Sequence, residues 1–188
     1  VFLIRKKFIF HIYNILAAIA VLSNYIQIQK ISKNLFYNLN LLSGRGDLLK
    51  LNFNKKVINI IDESYNSNPS SLKFSINNFS SLFSKKKYVL LGDMLELGKF
   101  SKKLHLNAAK DINKTNINKV YVYGKNIRNA FNKIKTQKKG KIFYNKNQIM
   151  NFIKYEIPNN SYLMIKGSNA TGLNEIISKI KLKNINAL

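Results

Sequence analysis

From Leu48 onward the chain alternates short apolar, β-branched runs with amphipathic stretches. Few architectures other than a layered α/β sheet satisfy that order. Leu48–Phe53 and Val57–Ile61 form a hairpin-like entry, and Tyr88–Leu91, Val120–Tyr123, Ile142–Tyr144 and Tyr162–Ile165 read as further strands. Leu72, Ile76, Phe79 and Phe83 fall on one helical face behind a Ser70–Ser71 cap. Helices are also predicted over Ser101–Ile112, Asn126–Ile134, Gln148–Tyr155 (ended by Pro158) and Leu173–Ile180. Strand–helix units joined by right-handed crossovers give a mostly parallel sheet with helices on both faces.

The Leu41–Asp47 stretch, LLSGRGD, is the predicted boundary and separates residues 1–43 from 44–188. Before it, His11–Leu22 carries Ile12, Leu16, Ala17, Ala20 and Val21 at helical spacing, which predicts a buried helix. A turn and a second short helix are expected through Leu35. Arg5, Lys6 and Lys7 followed by Phe8–Leu22 imitate a secretory leader, but His11, Tyr13 and Asn14 break the apolar run. The segment is too short and polar to span a bilayer, so no membrane span is expected.

The formal net charge is +24, from 32 basic and 8 acidic residues. Nearly all the basic residues are lysines, scattered along the chain, and only Arg5, Arg45 and Arg128 are arginine. Base-edge readers and phosphate clamps favour arginine, so the charge reads as a compositional bias toward Lys, Asn and Ile, with no specific nucleic-acid partner. A basic α/β module that binds a polyanion is the alternative. The absence of cysteine excludes disulfides and thiolate metal sites and agrees with a cytoplasmic location. A monomer is expected.

Four of the eight acids sit in two turns that follow strands: Asp62 and Glu63, then Asp93 and Glu96. Ligands of open α/β sheets bind outside the carboxyl ends of the strands, so these turns are the candidate site. Tyr65, Asn66 and Asn68 follow the first pair. Lys166, Gly167 and Ser168 follow the last strand, as either an anion-binding nest or an ordinary glycine turn. His105 has no second ligand at metal spacing and reads as structural, and no metal site or catalytic triad can be assembled. The chain contains no G-x-x-x-x-G-K-[ST] phosphate loop. These residues place acids and amides at strand ends without specifying a reaction.

Asp62–Pro69, DESYNSNP, resembles the D-[DE]-S-Y-N-A-N-P segment of the Mur ligases of bacterial cell-wall synthesis, with Ser67 in place of Ala. Gly92–His105 follows the same family's G-D-M-x-E-L-G…S…H pattern, and Lys166–Ser168 its K-G-S turn. Asn14–Ala18, NILAA, resembles the N-[AS]-L-A-A helix of the family's central domain, and Gly44–Arg45 the G-R at the next domain junction. The pattern departs upstream of Asn14, where Phe8 and Phe10 replace a glycine and a histidine. Within the family the likeness is to the branch that adds D-alanyl-D-alanine.

The resemblance implies that residues 1–43 end a central ATP-binding domain and that 44–188 form a Rossmann-like C-terminal domain. It also implies an amide ligase that uses ATP and magnesium to join D-alanyl-D-alanine to UDP-N-acetylmuramoyl-tripeptide through an acyl phosphate. By the same resemblance Asn14 meets the adenine and Arg45 the ATP, while Asp62 or Glu63 holds the ribose or orients the closing domain. Tyr65, Asn66 and Asn68 line the cleft, joined through the second motif by Asp93, Glu96 and His105. Lys166 and Ser168 face the dipeptide or the acyl phosphate. The residues after Asp62 argue against a sibling ligase that adds another amino acid. No catalytic residue is assigned. The family's phosphate loop and magnesium ligands are not in this chain, so the chain by itself is expected to be inactive.

Overall fold

The structure, a computed structural model, describes residues 1–4, 12–38, 43–53, 56–82 and 86–185. Expectations on residues 5–11, on Leu41 and on Phe83 lie outside the described residues. The chain divides into two compact units, Val1–Leu41 and Leu42–Leu188.

In the first unit the expected helix forms as α1 (Ile12–Leu22). Its predicted buried face is not buried: Leu16 and Val21 are 53% and 60% exposed, while Ile15 is buried at 5%. Among the described residues only the side of Ile15 is shielded. The second helix is a single 3-10 turn, Ile28–Lys30. Phe2 meets Phe36 edge-on at 5.5 Å, and Leu3 N–H donates to Lys33 O at 2.8 Å. Among the described residues no helix is long and apolar enough to cross a membrane.

The second unit is the α/β layer structure that the alternating pattern requires. Its strands are β1 (Asp47–Phe53), β2 (Lys56–Glu63), β3 (Lys87–Gly92), β4 (Lys119–Tyr123), β5 (Lys139–Phe143) and β6 (Ser161–Lys166), in sheet order β1-β2-β6-β3-β4-β5. β1 pairs antiparallel with β2, and every other pair is parallel. Strand alternation divides the side chains between two cores. Val89, Leu91, Val120, Val122 and Met164 face α2 (Pro69–Ser80), α3 (Ser101–Asn113) and α4 (Ile127–Lys133). Leu90, Tyr121, Leu163 and Ile165 face α5 (Lys146–Asn151) and α6 (Leu173–Ile185). Each such buried aliphatic side chain contributes about 1.5–3 kcal/mol relative to exposure.

Several element boundaries differ from expectation. β2 runs on through Asp62 and Glu63, which pair in the ladder with Ile165 and Lys166, so this acid pair ends the strand and does not sit in the turn after it. Asn68, not Ser70 or Ser71, caps α2: its side chain accepts from Ser71 N–H while Ser71 Oγ accepts from Asn68 N–H, and Pro69 supplies the first helical residue. β5 stops at Phe143 because Tyr144 N–H donates to the Gln148 side chain at 2.8 Å instead of to a ladder. α5 starts at Lys146 under an Asn145 cap and passes into a π turn over Phe152–Glu156, closed by Ile157 N–H on Phe152 O. Pro158 follows this turn directly.

Candidate functional site

β2, β6, β3 and β4 end on one edge, where Glu63 pairs in register with Lys166, Lys166 with Leu91, and Gly92 with Tyr123. The turns after these strands are therefore neighbours, and side-chain hydrogen bonds stitch them together. Ser168 Oγ donates to Ser67 O (3.3 Å) and accepts from Leu95 N–H (2.9 Å), while Ser168 N–H donates to Asp93 O (3.0 Å). One serine thus ties three turns. Gly92 and Gly167 permit the close approach, since a Cβ on Gly92 would lie 3.2 Å from the Gly167 Cα.

Lys166 is 2% exposed, and its Nζ donates to Asn66 O (2.9 Å) and to Glu63 Oε2 (3.4 Å). Burial lowers its pKa, and the Glu63 charge and hydrogen bond oppose that shift. A buried ammonium persists only with such partners, so Lys166 anchors the 63–66 turn from within. Asp62 is buried too. Its Oδ1 accepts from Ser64 N–H (3.1 Å) and Ser64 Oγ–H (2.6 Å), and Lys181 of α6 lies 3.8 Å from its Oδ2. The Asp62 carboxylate thus shapes its own turn.

Asp93 performs a similar service for α4. Its carboxylate accepts from the backbone N–H of Lys125 (3.1 Å), just before the helix, and of Asn126 (3.0 Å) and Ile127 (2.7 Å), two of the orphan donors at a helix start. Gly124, at φ +144°, makes the approach possible, because a Cβ there would stand 2.4 Å from Asp93 Oδ1. His105 is fully buried. Its Nε2 accepts from Met94 N–H at 3.0 Å, so its Nδ1 carries the proton toward Ser101 O at 2.8 Å. It holds the Met94 turn and does not reach solvent. Glu96 is exposed in left-handed backbone at φ 61°.

The outer rim carries the accessible chemistry. Arg45 lies with its guanidinium 4.3 Å from the centroid of the Tyr65 ring, which is 43% exposed. Tyr65 N–H donates to Gly44 O (3.1 Å) and Gly46 N–H to Asp62 O (2.7 Å), so the Gly44–Gly46 segment is held against the turn. Asn66 is exposed, with its side-chain oxygen on Ser67 N–H, and the Asn68 side chain is spent on the α2 cap. Asn14 is exposed on α1 of the first unit.

Sequence reasoning missed a cleft of about 340 Å³ beside these turns, lined by Asp93, Leu95, Tyr123, Gly124, Lys125, Arg128, Tyr144, Ala170 and Thr171. Arg128 stacks its guanidinium 4.5 Å from the Tyr144 ring centroid, and its buried Nε has no hydrogen-bond partner among the described residues. A flat cation with an unpaired donor in a strand-end cleft suits a carboxylate. The available signal was its rarity: Arg128 is one of three arginines in a lysine-rich chain, just past the Gly124 turn. Among the described residues no group of three or more His, Cys, Asp or Glu could hold a metal ion.

Known proteins resemble this chain in sequence and in fold. The UDP-N-acetylmuramoyl-tripeptide--D-alanyl-D-alanine ligase of Buchnera aphidicola subsp. Baizongia pistaciae is 30% identical over 145 residues, covering 76% of this chain and 30% of that protein. The Bacillus subtilis protein of the same name is 30% identical over 129 residues, covering 65% of this chain and 28% of its own length. The chain therefore spans under a third of these curated relatives. MurF from Acinetobacter baumannii superposes with a TM-score of 0.72 at 20% identity, over 90% of this chain and 37% of that one. The MurF ligase of Thermotoga maritima, solved with ADP, gives a TM-score of 0.65 at 21% identity, over 92% and 37%. These two structures share the mostly parallel sheet and its helical layers. The family model described as "Mur ligase, glutamate ligase domain" matches residues 44–169, the stretch that builds the strand-end turns, and the chain belongs to the Mur ligase family.

Proposed function

We propose that this chain is the C-terminal part of an ATP-dependent ligase that joins D-alanyl-D-alanine to UDP-N-acetylmuramoyl-tripeptide through an acyl phosphate. The names of its relatives support the substrates, and the cleft holding Arg128 carries the reading within this chain. Attack of an amine on an acyl phosphate needs an aligned nucleophile and stabilised negative charge more than it needs a covalent group from the protein. Arg128 and Lys125 would hold the dipeptide's terminal carboxylate and so aim its amine toward the acyl phosphate. Asp93 lines that cleft, Ser168 and His105 brace the Met94–Leu95 turn beside it, and Lys166 anchors the 63–66 turn, with their polar atoms committed to backbone and neighbouring side chains.

ATP fits this chain in part. Arg45, exposed on Tyr65, offers a planar, permanently charged group to its phosphates; the adenine role of Asn14 rests on the family resemblance alone. ATP supplies the phosphoryl group that activates the acceptor carboxylate. Asp62 and Glu63, already bound to Ser64, Lys181 and Lys166, orient the turn that presents Tyr65 and Asn66. Magnesium finds no ligand cluster among the described residues and would arrive with the nucleotide. The working protein is proposed to be a cytoplasmic monomer. Lacking the phosphate loop, the 188-residue chain binds the dipeptide without turning it over.

Amide-resolved NMR of the chain titrated with D-alanyl-D-alanine tests this. Saturable shifts at Gly124, Lys125 and Tyr144 that vanish in Arg128→Met are expected. No saturable shift there, or an undiminished one in Arg128→Met, overturns the assignment. Formation of the pentapeptide product by the chain alone with ATP would overturn its inactivity.

A further inference from the structure

A second concavity, of about 430 Å³, lies between α5 with its π turn and α6. These helices cover the opposite sheet face from α3. Lys146, Met150 and Lys154 recur every four residues along one wall, with Asn147 and Asn151 beside them, and Ile176 and Lys179 form the other. No carboxylate lines it.

The charge balance is uneven. Lys146 is fixed at one end: its Nζ lies 2.8 Å from Glu175 Oε2 and presses on Gly172, where a Cβ would come within 2.3 Å of it. Glu175 is thereby matched. Lys154 has no hydrogen bond or ion pair among the described residues, and Lys179 acts on Glu175 only through space. Lys154 also stands on the π turn, a rare helix form that concentrates at functional sites. Like charges held around one concavity repel, and a bound anion relieves that repulsion.

We propose that this groove binds the phosphate group of a small phosphate ester. Ammonium groups and carboxamides supply several donors to the phosphate oxygens, and lysine serves phosphate as a compact point charge. Met150 and Ile176 give the ester's organic part an apolar floor. The groove is sized for a small molecule, so a soluble ester, not a lipid surface, is its ligand. This site is separate from the strand-end cleft, and its test does not depend on the ligase reading.

The chain has three methionines: Met150 in the groove, and Met94 and Met164 buried in the core. Methyl-labelled methionine NMR, at constant ionic strength, follows titration with inorganic phosphate and with phenyl phosphate. A saturable shift of Met150 is expected, tighter for phenyl phosphate, with Met94 and Met164 unmoved. The variant Lys154→Gln/Lys179→Gln should weaken binding by about tenfold or more, as loss of two charged donors implies. Lys102→Gln/Lys103→Gln on α3 should leave it unchanged. Unmoved core methionine signals certify that each variant is folded. Three outcomes overturn the proposal: no saturable Met150 shift, equal weakening in both double variants, or a response only to phosphatidylglycerol vesicles.

Discussion

At the edge where the parallel strands end, helix N-termini meet side-chain acceptors; at the edge where they begin, helix C-termini meet ammonium groups. Asp93, Asn68 and Asn145 accept from the first N–H groups of α4, α2 and α5. At the other edge β2, β3, β4 and β5 all begin on lysine. Lys87 donates to Ser80 O and Leu82 O at the end of α2, and Lys138 to Ile112 O and Thr115 O at the end of α3. Lys139 reaches Asn132 O of α4, and Lys56 reaches Tyr155 O of the π turn. Both edges answer the helix dipole, which favours anions at one end and cations at the other. Part of the +24 charge is therefore fold chemistry. The difference lies in what remains free. The beginning edge ties its cations to carbonyls, while the ending edge keeps Arg45 and Arg128 stacked on tyrosines with donors to offer.

The largest test of this contrast is Asp93→Ala, which strands three backbone N–H groups. It should lower the unfolding free energy by about 3 kcal/mol, read from urea denaturation. A loss under about 1 kcal/mol would mean that the α4 start finds other acceptors.

Lys87→Met removes the C-terminal partner of α2 and should cost about 1–2 kcal/mol in the same measurement. A pH series sharpens it. Burial lowers the pKa of Lys87, Lys138 and Lys166 from 10.5, so just below that value the unfolded chain holds more protons than the folded one. Stability should rise with pH across that window and rise less in Lys87→Met. Tyr121 acts with the opposite sign: burial, then the charges of Tyr88 and Glu156, push it from 10.0 to about 12. Its unfolded phenol ionises first, so stability should fall between those values. A monotonic rise through that range would contradict the burial of Tyr121.

Asn68→Ala should cost about 1 kcal/mol through the lost cap. An unchanged denaturation midpoint would show that Pro69 alone starts α2. Smallest of all, Tyr65→Leu should cost about 0.5 kcal/mol as Arg45 loses its aromatic face. The Arg45 side-chain NMR signals should then lose their ring-current displacement; if they stay put, the stack does not organise Arg45.

Much of the fold was legible because its signals are local. The β-branched runs located the strands, and turn residues placed Asp62–Asn68, Gly92–Asp93 and Lys166–Ser168 at their ends. The candidate site was legible as a set of turns but not as a set of roles. Whether Asp93 meets a ligand or caps a helix depends on Ile127, thirty-four positions away. The burial of α1 was misjudged for a related reason, since periodicity names an apolar face without saying what covers it.

The sequence by itself determined the strand–helix alternation, the acids at the strand ends and the motifs of the family, because each lies within a few neighbouring residues. Only the tertiary structure decided which of those acids are committed, that Arg128 meets Tyr144, and that lysines at the strand starts close the helices. Strand order sets those pairings. Lys166 reaches Asn66 across 100 residues because β6 lies beside β2, and hydrophobic burial of the whole sheet, not any local preference, put it there.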